Sequence, residues 1–193
     1  QGLALDLLGA KYLTIPGYKG TRDVDVAIMQ GDIQLVSNSL PGYNSFAKTS
    51  LVDKGLAIPL LQYERGDGGA GRSPDLPDVP TFLEVYREIH GANATPSGEK
   101  WQALQLLTKI MARMTRVIFM PPNAPDAAVA ELRSAMEKMA KDPQFIAQYE
   151  KAALTPAHFV LGADGERVVS ELANVPPAMV SFFNQYIQSA STR

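Results

Sequence analysis

The stretch LAIPLLQYERGDGGAGRSPDLPDVPTFLEV, Leu56–Val85, decides how the first half of the chain is read. Its apolar opening, Leu56–Gln62, has the length and bounding residues of a strand, with Pro59 suited to an edge or a bulge. Gly66, Gly68 and Gly71 then stand at G-x-G-x-x-G spacing, the pattern of a dinucleotide-binding turn. That pattern works only where a helix opens on the third glycine, because the first N–H groups of the helix hold the pyrophosphate. Here Pro74, Pro77 and Pro80 follow; each lacks an N–H, and each pushes its predecessor out of the helical region. The glycines are therefore expected to lead into an extended loop. Beyond it, Thr81 and Glu84 make a capping box for a helix to about His90.

Working outward, LALDLLGA, Leu3–Ala10, reads as the end of a helix with no capping residue ahead of it, and is expected to continue an element that begins upstream. Lys11–Ile15, Ile33–Ser37, Leu56–Gln62 and Arg116–Met120 read as strands. Between them the pattern predicts a helix capped by Thr21 and running to Met29 or Gln30. Asp23 and Asp25 lie in its first turn, where negative charge meets the positive end of the dipole, and Gly31 stops it. Further helices are expected at Tyr43–Val52, Ser97–Met114, Asp126–Lys141, from Pro143, at Ala163–Leu172 and at Pro176–Ser189. Alternation of strands and helices predicts an α/β fold with a mixed sheet, followed by a mainly helical C-terminal segment.

Composition excludes several classes of function. Apolar residues at 46% and charged residues at 20% fit an ordinary globular chain rather than a disordered or membrane-embedded one. The net charge of -2, without blocks of like charge, leaves no footprint for nucleic acid or an anionic membrane. Zero cysteines exclude disulfides, zinc–thiolate sites and thiol catalysis. No nucleophile elbow or phosphate-binding P-loop occurs, and His90 and His158 lack metal-ligand spacing. His90, next to Gly91 at a helix end, is expected to serve the last carbonyls. No catalytic residue, metal or cofactor is expected.

What remains is a binding surface. PGYKG, Pro16–Gly20, and SNSLPGYN, Ser37–Asn44, follow successive expected strands, so both loops would leave one edge of a parallel sheet, where ligands of open α/β sheets sit. They offer hydroxyls, an amide, glycines and the positive charges of Lys19 and Arg22, beside the free N–H groups of the Thr21 helix. This set suits a small carboxylate held by hydrogen bonds and not transformed.

Three motifs carry a resemblance. GYKGTRDVDVAIMQGDI has Tyr-x-Gly ahead of a helix ending in Gly-acid; RSPDLPDVPTFLEV has an Arg, then Leu-Pro-Asp-Val-Pro-Thr and Glu. FMPPNAPDAAVAELRSAMEKMAKDPQF has Pro-Pro-x-x-Pro, Leu-Arg-x-Ala and Lys-Asp-Pro-x-Phe. Together, from Tyr18 to Phe145, they resemble the extracytoplasmic solute receptors of tripartite tricarboxylate transporters, the Bug family. The resemblance implies a class II periplasmic binding protein, located in the periplasm, with integral membrane subunits as partners and a small organic carboxylate as solute. It implies that residues 1–115 form most of the second α/β lobe. Residues 116–193 would be a hinge strand and helices that pack on a first lobe missing from this chain, which would leave it prone to self-association. Carried over, the site is Tyr18, Gly20, Ser37, Asn38 and Ser39. Gln34 stands where many relatives have an acidic residue. Two other readings stand beside this one: an α/β enzyme using the Gly66–Gly71 loop for a phosphate-bearing ligand, and a helical interaction module at Asp126–Arg193.

Overall fold

Helical periodicity governs the structure, a computed structural model that describes residues 1–63, 71–114 and 116–190. The helices are α1 (Gly2–Leu7), α2 (Thr21–Gln30), the single turn α3 (Leu40–Gly42), a π-helix (Tyr43–Val52), α4 (Phe82–His90) and α5 (Gly98–Arg113). They continue with α6 (Asp126–Met139), α7 (Pro143–Ala153), α8 (Gly162–Ala173) and α9 (Pro177–Ala190). Among the described residues no helix is long and apolar enough to cross a membrane.

The expected α/β sheet is overturned. Among the described residues the β pairing is one parallel bridge, Gln62 with Thr81, and the fold is mostly helical, not that of a class II periplasmic binding protein lobe. Lys11–Ile15, Ile33–Ser37, Leu56–Leu61 and residues 117–120 run outside any ladder. A strand is stabilised by a neighbour that takes up its N–H and C=O groups and covers one face. These segments have no strand beside them, and Leu13, Ile58 and Phe119 are 70%, 76% and 79% exposed. A short apolar run bounded by Gly and Pro shows that a segment suits a pleated sheet; it does not supply the partner.

The chain divides into two units, each drawing on residues before and after Arg116. The first comprises Gln1–Pro16, Pro59–Thr115 and Ser170–Arg193. Its core is Leu3 and Ala4 of α1, Phe82 of α4, and Ala103 and Leu104 of α5, with Met179, Phe182, Phe183 and Tyr186 of α9 packed against it. Phe82 is fully buried, its ring centroid 5.7 Å from that of Trp101 and 6.0 Å from that of Tyr86. Removing such a side chain from water stabilises by about 1.5–3 kcal/mol. The capping box forms as expected: Glu84 N–H donates to Thr81 Oγ1 at 3.2 Å, and Thr81 N–H to Glu84 Oε2 at 2.6 Å. His90 serves another helix's end, with Nε2 3.2 Å from the carbonyl of Leu7, the last residue of α1.

Gly66 and Gly68, with Glu64 and Asp67, lie outside the described residues. From Gly71 the chain runs through turns, and the next helix opens only at Phe82. Gln62 holds this loop. Its buried side-chain amide donates to the carbonyls of Leu76 (2.8 Å) and Val79 (2.6 Å), and its oxygen accepts from Ser73 N–H at 2.8 Å. Arg72 closes the loop outside, donating to Glu84 at 3.0 Å and to the Pro77 carbonyl at 2.9 Å. Leu-Pro-Asp-Val-Pro-Thr is thus a structural device. Its prolines leave no N–H to satisfy, and the carbonyls of Leu76 and Val79 are met by one side-chain amide.

The second unit comprises Gly17–Ile58 and Arg116–Val169. Ala27 of α2, Ala47 and Leu51 of the π-helix and Val168 of α8 are its buried apolar residues. Asp142 caps α7 by accepting from Gln144 N–H at 2.8 Å, with Pro143 in the first turn, as its sequence predicts. α7 packs on the π-helix, and Asn44 Nδ2 donates to the Leu154 carbonyl at 2.8 Å, tying the π-helix to the end of α7. On α6, Val129, Leu132, Met136 and Met139 form a half-buried stripe, and Arg133 pairs with Glu166 at 2.9 Å.

Candidate functional site

A cleft of about 170 Å³ opens within the second unit. Two elements and a loop build it: Thr21, Arg22 and Asp25 from the first turns of α2, Asn38 from the loop before α3, and Gly42, Ser45 and Phe46 around the start of the π-helix. Positions 21, 22 and 25 fall on one helical face because four and three residues separate the first two from the third. The expected Thr21 cap does not form: Gly20 is the N-cap, in an extended conformation (φ -177°), and no side chain caps α2. At the other end Gly31, in the left-handed region (φ +81°), stops the helix as the sequence predicts.

The backbone on the far wall winds as a π-helix. Its i→i+5 bonding continues through Asp53 N–H to the Lys48 carbonyl at 2.8 Å and Leu56 N–H to the Leu51 carbonyl at 2.8 Å. π-Helical winding is rare and recurs at functional sites. Here Ser45 and Phe46 of the π-helix line the cleft beside Gly42 of α3, while Ala47 and Leu51 are buried.

Asp25 is the unusual member. It is 3% exposed, the Asn38 side chain hydrogen-bonds to its carboxyl group, and Oδ1 has no partner. Burial pushes the carboxyl above its ordinary value of 3.8, and the Asn38 hydrogen bond offsets this only in part. A carboxyl raised on folding favours the folded state below its unfolded value and loses that contribution as pH rises through the folded one. Wild type should therefore lose stability relative to Asp25→Asn as pH climbs above the ordinary carboxylate range of about 4. Paired urea titrations measure this, and a difference that stays level across the range would show that ionising Asp25 costs nothing. Arg22 is the other charged residue lining the cleft.

Of the five residues expected at the site, Asn38 lines the cleft and Gly20 caps the helix whose first residues do. Ser39 is occupied elsewhere: its hydroxyl caps α3 by accepting from Gly42 N–H at 3.3 Å. Ser37 and Tyr18 are exposed and do not line the cleft. Sequence reasoning missed Asp25, Ser45 and Phe46, because it assigned Asp25 to the helix dipole. Its signal was spacing: an acid three residues after Arg22 and four after Thr21 shares their face. Among the described residues no three His, Asp or Glu side chains converge as metal ligands.

No family model, curated protein or solved structure matches the chain.

Proposed function

We propose that the chain holds a small carboxylate solute in the α2 cleft without breaking its bonds, as the solute-binding component of a tripartite tricarboxylate-type transporter. One observation carries the binding: Thr21 and Arg22, from the first turn of a helix that no side chain caps, line a single cleft with Asn38. Uncapped N–H groups, a guanidinium and an amide are the donors a carboxylate accepts from. The volume of about 170 Å³ is small beside the roughly 300–1,000 Å³ of pockets for drug-sized ligands, which restricts the solute to a few carbons. The transporter assignment, with its periplasmic location and membrane-subunit partners, rests on the three motifs between Tyr18 and Phe145 and not on the fold.

A ligand that binds only the folded state stabilises by mass action, by about 2.7 kcal/mol at a hundredfold excess over Kd. Thermal unfolding against a panel of mono-, di- and tricarboxylates should therefore show a rise in Tm with the smaller acids. Arg22→Ala should weaken that binding about tenfold, the loss of one charge-assisted hydrogen bond. A flat response over the whole panel would remove the carboxylate reading.

A further inference from the structure

The winding of Tyr43–Val52 requires a cause, and we infer that the Lys48–Asp53 ion pair supplies it: these two side chains hold the segment in its i→i+5 register and so set which residues line that wall of the α2 cleft. The inference is independent of what the cleft holds. The segment contains no Gly or Pro, and Ala47, Lys48 and Leu51 are among the strong α-helix formers. An α-helix is the expected outcome for such a run, and π-helical winding is rare. A contact specific to the longer turn must therefore oppose the local preference.

The other side-chain bonds of the segment are not specific to it. Ser45 Oγ donates to the Gly42 carbonyl at 3.5 Å and Thr49 Oγ1 to that of Phe46 at 3.3 Å, bonds to the residue three back that an α-helix allows equally. Asn44 Nδ2, on the Leu154 carbonyl, anchors the start of the segment to the end of α7 and leaves its winding open. Lys48 and Asp53 differ, because they are joined twice. Asp53 N–H donates to the Lys48 carbonyl at 2.8 Å, and Lys48 Nζ donates to both carboxylate oxygens, Oδ1 at 2.7 Å and Oδ2 at 3.0 Å. An α-helix sets residues five apart about 140° from each other around its axis; its neighbours are three and four apart. Hydrogen bonds of five-residue span instead bring residues 48 and 53 one turn apart on the same side, so the ion pair belongs to this register. Both side chains are about half exposed, at 50% and 46%, so the lock is weak and decides only between registers of similar stability. Ser45 and Phe46 line the cleft from the same winding, so releasing the pair changes the wall.

NMR couplings transmitted through hydrogen bonds identify the carbonyl that accepts from a given N–H, and in the deuterated full chain they read the register directly. In wild type the Asp53 amide should couple to the carbonyl carbon of Lys48. In Lys48→Met, which keeps the aliphatic stem and loses the charge, it should couple in most molecules to that of Thr49, the α-helical partner. Asp53→Asn should move the residue 53 amide in the same way. The charge swap, Lys48→Asp with Asp53→Lys, should return the coupling to residue 48. A residue 48 partner kept in either single variant would overturn the inference. Loss of coupling to both carbonyls would overturn it too, since the pair would then cap a fraying end without choosing a register. A swap that stays on Thr49 would tie the change to side-chain shape instead of charge and equally sink the proposal.

Discussion

Replacing Gln62 with Leu lowers the free energy of unfolding by about 3–4 kcal/mol, seen as a lower urea midpoint at unchanged slope. Three hydrogen bonds end on this one side chain: from its amide to Leu76 and Val79, and to its oxygen from Ser73 N–H. Leucine matches its bulk but meets none of them. Each buried group left unpaired costs about 1–3 kcal/mol, partly relieved where the loop lets water in. The loop itself has few alternatives, since Pro74, Pro77 and Pro80 cannot donate and their rings restrict the backbone. The damage should spread to Thr81, because Gln62 also exchanges backbone bonds around it: Gln62 N–H donates to the Pro80 carbonyl at 2.8 Å, and Phe82 N–H to that of Gln62 at 2.8 Å. Phe82 is fully buried, so loosening its entry loosens the core. Gln62→Glu separates hydrogen bonding from shape. It keeps an acceptor for Ser73 but loses both donors, and at neutral pH it too should destabilise. A glutamate variant as stable as wild type would show that the loop stands without this side chain.

The helices were legible because their signals are local. Gly31 after a periodic run, Thr81 three residues before Glu84, and Asp142 before Pro143 each end or begin a helix through groups a few residues apart, and each does so in the structure. The strands were not, because pairing is a relation between distant segments. Ile33–Ser37 and Leu56–Leu61 have strand-like composition, yet no neighbouring strand pairs with them. The same limit hid Gln62. It ends an apolar run and resembles any polar strand terminus; only the return of the chain at Leu76 and Val79 reveals its role. Of the site, the loop amide Asn38 and the start of α2 could be read, since turn residues beside an uncapped helix are a local pattern. Asp25 could not, because burial is set by segments brought together in the fold, and nothing in Tyr43–Val52 announces i→i+5 winding.

Asp25 and Asp6 show opposite outcomes of burying a carboxylate, and Asp6 supplies the second large effect: Asp6→Asn should cost about 2 kcal/mol at pH 7, and that cost should vanish in acid. The Asp6 side chain is 7% exposed, and Lys100 Nζ lies 2.8 Å from Oδ2. Tyr12 donates to Oδ1 at 3.1 Å and Tyr186 to Oδ2 at 3.3 Å. α1, α5 and α9 are thereby joined at one carboxylate. Gly2 belongs to the same cluster, since a Cβ there would sit 2.9 Å from both tyrosine hydroxyls. Burial pushes the Asp6 carboxyl up, but Lys100 and the two tyrosines outweigh it and hold it below the ordinary 3.8. Burial, the Tyr12 hydrogen bond and the negative charge of Asp6 push the Tyr186 phenol up, so it remains a donor at neutral pH. A carboxyl lowered on folding contributes stability that is present above its unfolded value and lost as pH falls through the folded one. Wild type should therefore exceed Asp6→Asn in stability at pH 7 and lose that advantage below about pH 4. Asparagine keeps one acceptor and gains an N–H aimed at a lysine or a phenol, so it cannot restore the set. Equal stability of the two proteins at pH 7 would mean that Lys100, 44% exposed, and both phenols are as well served by water as by Asp6.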